Sequence, residues 1–530
     1  MSEDNDGRCT ENAAEMSRRD FAKSAVGMGV TLSVAGTVLG VAGPSIAQSP
    51  KRGGRMKVAF KTGSPKDTAD PARSGHAGDH ARMFQLYNGL TSTGSDLKPV
   101  GDLAESWEVN KDADEWIFKL RKGVTFHNGK TLEARDAVYS LRRILDPAVG
   151  SPHRSAMGDI DANEMKALDA TTVRIKLTRP NADLPAILAS YHTGIIPDGF
   201  TDFDKAVGTG PYKLKSFKPG LVTTLSRNEN YRKTGRPYLD EIETSSVPDP
   251  VARVNALLSG EFHLVEALDA KLAEQVQKSS TALPFRSKSG YHTHLIMQVN
   301  QPPFNNPDVR MALKLLADRQ RTLDLVYNGF GHIGNDQPIS AVYPFYCDKI
   351  PQRAYDPAAA KELLKKAGQS NLKLELFCSD ANPGGVELAS IYRETAAAGG
   401  VDVQVLRQPA QGYWNAIWMK KPFSTGSWNM RATAGIFLST VYQSDATWNE
   451  TVWKRADFDN LLGQASKTID NAKRAELYCQ LQAMVSNDGG AIIPTFIDLL
   501  DGVSRKLKGL KPYPTGAMGG WQWEDVWLDA

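Results

Sequence analysis

Apolar and polar positions alternate strictly from Glu115 to Arg121. Trp116, Phe118 and Leu120 fall on one face and Glu115, Lys119 and Arg121 on the other, which predicts a half-buried strand. Asn128-Gly129 marks a turn. A helix is predicted to start at Thr131, whose hydroxyl can cap it. It buries Val138, Leu141 and Leu145 and stops at Asp146-Pro147. Val173, Ile175 and Leu177 repeat the strand period, and Pro180 closes that segment. Further on the period lengthens to three and four. Asn306-Pro307 opens a helix with proline in its first turn, where the missing N–H costs nothing, and its stripe is Val309, Ala312, Leu313 and Leu316. Asp356-Pro357 opens another, with Ala360, Leu363, Leu364 and Ala367 on one face and Gly368 after it. The mixture predicts an α/β fold without obvious repeats.

The N-terminus reads differently. Ser17-Arg18-Arg19-Asp20-Phe21-Ala22-Lys23 precedes an apolar run, diluted by Gly, Ser and Thr, from Ser24 to Gly43, and Ser45-Ile46-Ala47 supplies small residues where a signal peptidase reads. The adjacent arginines resemble the twin-arginine export signal, with Ala22 departing mildly from its pattern. Residues 1–47 are therefore read as a signal peptide cleaved after Ala47, which places the mature protein in the periplasm. A run of roughly 20 apolar residues is also long enough for an uncleaved anchor, but the cleavage signal follows it directly.

Composition changes the picture little. The chain has 530 residues, 41% hydrophobic and 23% charged. Its length calls for two or three lobes. The formal net charge of +3 gives no case for a nucleic-acid partner. The leader carries six acidic and four basic residues, so its removal leaves +5. Cys9 leaves with it. Cys347, Cys378 and Cys479 remain, enough for one bridge at most. The sequence does not choose a pair, and three free buried thiols are the alternative.

Several segments resemble the peptide- and nickel-type extracellular solute-binding proteins, family 5 of the bacterial binding proteins. The longest match is Glu115 to Pro147, whose aromatic strand, Arg121-x-Gly123-Val124-x-Phe126-His127-x-Gly129 and helix start Arg135-Asp136-Ala137-Val138 follow the family pattern. Tyr87-Asn88-Gly89-Leu90, Leu103 to Trp107, Gly208 to Tyr212, Asn228 to Tyr231, Pro303-Phe304 with Val309 to Ala312, and Phe458 to Val485 agree in order and spacing. The resemblance implies a two-lobed clamp with an extra subdomain on the first lobe. By similarity, residues 53–80, 206–290 and 500–530 form the first lobe, 81–205 the extra subdomain and 291–499 the second lobe. It implies a monomeric receptor without cofactor or enzyme activity. Its partners are a small solute (a peptide, an opine-like conjugate or another) and an ABC permease in the inner membrane.

Trp414, Trp418, Trp428, Trp448 and Trp453 cluster in the second lobe. Large aromatic faces suit an enclosed solute pocket, although core packing accounts for many such residues. In peptide-binding relatives a segment like Gly426-Ser427-Trp428 is followed by an Asp that pairs with the peptide ammonium. Here Asn429-Met430-Arg431 follows, so that carboxylate is absent and a guanidinium stands in its neighbourhood. Arg binds carboxylate or phosphate bidentately and repels ammonium, which points to an acidic solute. The alternative is a structural ion pair of Arg431 with Asp445 or Glu450. Candidate ligand-binding residues are Trp428, Asn429, Arg431, Trp448, Asn449, Tyr442 and His294, with Ser444, His292, Gly63-Ser64 and Asp70-Pro71 as weaker ones.

His76, Asp79 and His80 invite a metal reading, but Gly75 and Gly78 argue against the regular helix that a zinc pair needs. A metal-chelate binder and an exported oxidoreductase or hydrolase are the alternative functions. No nucleophile elbow, P-loop or dinucleotide glycine fingerprint stands in a supporting context.

Overall fold

Two long antiparallel strands, Ala282–Met297 and Thr495–Ser504, tie the molecule together. They appear in a computed structural model that describes residues 49–529; the leader assigned to residues 1–47 and Cys9 lie outside the described residues. Ala282 to Ser287 pair with Ser504 to Leu499, and the register then shifts before Tyr291 meets Ile497. Beyond that irregularity the first of these strands changes partner: His292 to Met297 pair with Trp428 to Phe423. One strand thus belongs to two sheet halves. The hydrogen-bonded order is Asp402–Arg407, Lys373–Cys378, Phe423–Trp428, Ala282–Met297, Thr495–Ser504, Leu264–Val265, Arg55–Phe60, Glu241–Ser246, Val222–Arg227 and Tyr212–Lys218.

Each half has its own packing. Around Arg55–Phe60 a core gathers Met56, Val58, Tyr212, Leu225, Ile242 and Trp523. The other half holds two cores. One packs Val309, Leu313, Ala360 and Leu364 of the helices Pro307–Leu315 and Pro357–Lys366 against Leu374 and Leu376. The other surrounds Trp428, Phe437, Trp453 and Tyr478. Both helices start as their sequences predict, with the side chains of Asn306 and Asp356 capping them. A separate four-stranded antiparallel sheet, Ala104–Val109, Glu115–Leu120, Thr172–Lys176 and Lys166–Asp169, packs its apolar face on the helix Ala134–Leu145. Trp116, Phe118, Leu120, Val173, Ile175 and Leu177 are all buried there.

The start of that helix corrects the sequence reading. Thr131 pairs with Thr125 in an isolated bridge, and the helix begins at Ala134. The buried Asp136 carboxylate accepts the Glu133 N–H at 2.8 Å, Lys130 Nζ at 2.7 Å and the Asp198 N–H at 2.8 Å. An ionised acceptor at a helix N-terminus outweighs a neutral hydroxyl cap. Ile144 joins Val138 and Leu141 in the core, and Leu145 is only half-buried against it.

Cys347 and Cys479 are joined by a disulfide with Cα atoms 4.9 Å apart, closing a sequence separation of 132. Cys378 is free and buried, and burial pushes its thiol up to about 11. Among the described residues no helix is long and apolar enough to cross a membrane.

Candidate functional site

Trp428 ends the strand Phe423–Trp428, and His292, Thr293 and His294 of the long strand lie opposite Trp428, Ser427 and Gly426. Gly426 has a steric reason: a Cβ there would come within 3.0 Å of the His294 ring and 2.6 Å of Ile296. The ring can therefore reach across to Glu450, which is 1% exposed. Glu450 Oε1 accepts Trp428 Nε1 at 2.7 Å and His294 Nε2 at 2.8 Å, while Oε2 accepts Trp418 Nε1 at 2.5 Å. Facing a carboxylate oxygen, His294 Nε2 is the donor. Three ring N–H donors converge on one buried carboxylate.

That carboxylate organises a wall of indoles. Ring centroids are 5.7 Å apart for Trp414–Trp418, 6.2 Å for Trp418–Trp428 and 5.8 Å for Trp428–Trp448. Trp428 is nearly buried, whereas Trp414 and Trp448 are 42% and 45% exposed, so the strip presents apolar faces to solvent. The Arg431 guanidinium lies 5.3 Å from the Trp428 ring centroid, and the Arg431 N–H donates to Tyr343 Oη at 2.9 Å. Among the described residues no carboxylate lies within ion-pair distance of Arg431. Neither Asp445 nor Glu450 plays that part. Burial lowers the guanidinium's pKa, against the opposing influence of the Tyr343 and Tyr191 phenols.

Tyr191 packs against the core around Arg55–Phe60. Burial raises its phenol's pKa, and the Arg431 charge acts against that rise. The Tyr191 ring stacks on His80 at 3.7 Å and meets Trp521 edge-on at 6.0 Å. Burial lowers His80 to about 3, with the nearby His192 and His76 adding to the effect. A small recess of about 50 Å³ opens beside Tyr191, bordered by Phe84, Gln85, Asn88, Asp102 and Glu524.

The structure thus brings Trp428, Arg431 and Trp448 onto one wall, with Asn429 exposed beside them. It does not bring the other candidates there as free groups. Asn449 is buried and donates to Gln443 O and Trp453 O at 3.2 and 2.7 Å, holding its own loop. Tyr442 is a core residue edge-on to Trp453, and burial raises its phenol. His294 is 1% exposed and engaged by Glu450. His292 contacts Gly290 O, and Ser444 accepts from the Arg455 N–H. Ser64 accepts from the Lys66 N–H, and Asp70 is held bidentately by Arg143. Asp79 is filled by Arg82, Thr68 and Gly75, and among the described residues no group of three or more His, Cys, Asp and Glu is placed to hold a metal.

Sequence reasoning missed Glu450 as an organiser, together with Tyr191 and Tyr343. A signal existed for Glu450: buried indoles need an acceptor, and an acid beside Trp448 in a tryptophan-rich stretch is a natural one.

Residues 98–449 match the sequence profile of the bacterial extracellular solute-binding proteins, family 5 Middle. The chain belongs to this family. Its members are extracellular solute-binding proteins, not enzymes. The glutathione-binding protein GsiB of Escherichia coli K12 is 28% identical over 474 residues, covering 85% of this chain and 91% of that protein. Two solved structures share the fold. HbpA2 from Haemophilus parasuis superposes with a TM-score of 0.81 at 22% identity, covering 90% of this chain and 100% of its own. The periplasmic binding protein DppA from Helicobacter pylori, in complex with the peptide STSA, gives 0.72 at 24%, covering 91% and 99%. The fold of this family-5 protein is accordingly the two-lobed α/β clamp of periplasmic binding proteins.

Proposed function

We propose that the protein is a periplasmic receptor that captures a small, carboxylate-bearing organic solute between its lobes and delivers it to an ABC importer. The observation that carries this is Arg431: a half-buried guanidinium on the face of Trp428 without a carboxylate partner among the described residues. A desolvated cation is stabilised by an anion of matching geometry, and a planar guanidinium matches a carboxylate. Trp428 and Trp448 supply apolar contact. Glutathione, a γ-linked tripeptide that carries two carboxylates and one ammonium at neutral pH, is the first probe because GsiB relatives bear its name.

Calorimetric titration of glutathione, and a thermal-shift panel of acidic solutes beside their amidated analogues, test the reading. Acidic members bind the wild type, and Arg431→Ala loses that binding while its melting temperature stays nearly unchanged. A solute bound at 100 times its dissociation constant adds about 2.7 kcal/mol of stability, which such a panel resolves. Undiminished binding by Arg431→Ala sinks the proposal.

The lobe layout follows as part of the same reading, with 53–80, 206–290 and 500–530 as the first lobe, 81–205 as its subdomain and 291–499 as the second. The change of strand partner after Ser287 is a natural hinge. The receptor acts as a monomer, is exported by the twin-arginine route and is cleaved after Ala47. N-terminal sequencing of the exported protein checks the last point, which fails if Gln48 is not the first residue.

A further inference from the structure

The helix Ala434–Val441 starts three residues after Arg431, and its N-terminus receives a carboxylate from a different packing unit. Asp183 precedes Leu184 and Ile187, which belong to the core beneath the four-stranded sheet. Thr433, Phe437 and Tyr478 belong to the tryptophan half. Asp183 Oδ2 accepts Thr433 Oγ1 at 2.8 Å, and Oδ1 accepts Arg474 Nη2 at 2.5 Å. Next to it the Ala182 N–H donates to Ser466 O at 2.8 Å. Arg474 is itself positioned, its guanidinium 5.1 Å from the Phe345 ring centroid and 5.5 Å from that of Tyr478.

Local sequence makes room for this contact. A Cβ on Gly435 would lie 2.8 Å from Asp183 Oδ2 and 2.5 Å from Tyr478 Oη, so glycine allows the carboxylate to come close. Thr433 performs two tasks, since its hydroxyl also accepts the Ile436 N–H at 3.1 Å. Ile436 then packs against the Asp183 unit's core. Hydrogen bonds, helix-terminal charge and apolar contact coincide at one small joint.

We propose that Asp183 is a positioning residue that latches the two packing units together and fixes Arg431 for capture. The segment Trp428 to Thr433 joins the two events. Its beginning carries the indole and guanidinium of the solute site, and its end docks on Asp183. Opening the units removes Thr433 from its partner and releases the loop that holds Arg431. The Arg431 part rests on the solute reading above; the latch itself does not.

The test uses the full processed chain without added solute. Asp183→Asn and Arg474→Met are compared with wild type by small-angle scattering and by hydrogen exchange over Trp428 to Val441. Arg474→Met keeps an apolar stem on Phe345 and Tyr478, so at least one variant remains folded; near-UV circular dichroism verifies this. Both variants are expected to show a larger radius of gyration and severalfold faster exchange in that segment, with the double variant no more open than either single. An unchanged radius and unchanged exchange in folded variants overturn the latch. Arg431→Ala serves as the control. It leaves the solute-free radius as in wild type, so loss of the Arg431 reading appears in titrations and loss of the latch in scattering.

Discussion

The Glu450 carboxylate accepts the Trp428 indole N–H at 2.7 Å, and both groups are withdrawn from water. The same acid also receives Trp418 and His294. Strong charge-assisted hydrogen bonds therefore hold the indole wall. One anion satisfies three donors of the wall.

Glu450→Gln tests this arrangement. A glutamine offers one acceptor oxygen and turns an NH2 group toward ring N–H donors. At least one buried donor is left unmatched, costing about 1–3 kcal/mol. Melting temperature falls and tryptophan emission shifts to the red as water reaches Trp418 or Trp428. Unchanged emission and melting would show that the wall does not depend on Glu450.

Trp428 and Trp448 should separate stability from binding. Trp428 is 8% exposed and its loss opens a core cavity, so Trp428→Ala costs about 3–5 kcal/mol in chemical denaturation. Trp448 is 45% exposed, and Trp448→Ala costs under about 1 kcal/mol. In titrations with the bound acidic solute, Trp448→Ala nevertheless weakens affinity. Equal affinities for wild type and Trp448→Ala would remove this ring from the site.

The disulfide should contribute measurably. A bridge spanning 132 positions restricts the unfolded chain by about 4–5 kcal/mol on a loop-entropy scale. Melting with and without reductant, alongside Cys347→Ser, gives the comparison. The reduced protein and the variant should melt at similar, lower temperatures. If the reductant also lowers the variant's melting temperature, its effect does not come from this bridge.

Acid should unfold the protein through buried histidines. Burial lowers His127 and His153 to about 4 and His192 and His292 to about 3. His127 is explicit: Nε2 contacts Gly210 O and Nδ1 accepts the Gly208 N–H, an arrangement that needs the neutral ring. Unfolded histidines bind protons below about 6.5, and these folded ones do not until pH 3–4. Their contribution is complete above pH 6.5 and is lost as pH falls toward 4, by about 1.4 kcal/mol per pH unit for each. Melting temperature measured from pH 8 to pH 5 should be flat and then fall. His127→Gln, whose amide can donate to Gly210 O and accept from Gly208, should shallow the acid limb. A flat profile down to pH 5 contradicts the assignment.

What the sequence determined by itself was local. The strand Glu115–Leu120 and the helices Pro307–Leu315 and Pro357–Lys366 follow from side-chain period and capping residues, which consecutive positions encode. The family resemblance and the place of Arg431 after Trp428 were also legible in order and spacing. Three things needed the tertiary structure: the helix start at Ala134, where distant Asp198 helps hold Asp136; the choice of Cys347–Cys479; and the engagement of Glu450 by His294, 156 positions away. Each depends on which groups are withdrawn from water together. Hydrophobic period does not encode that, because it specifies a face without specifying what the face meets.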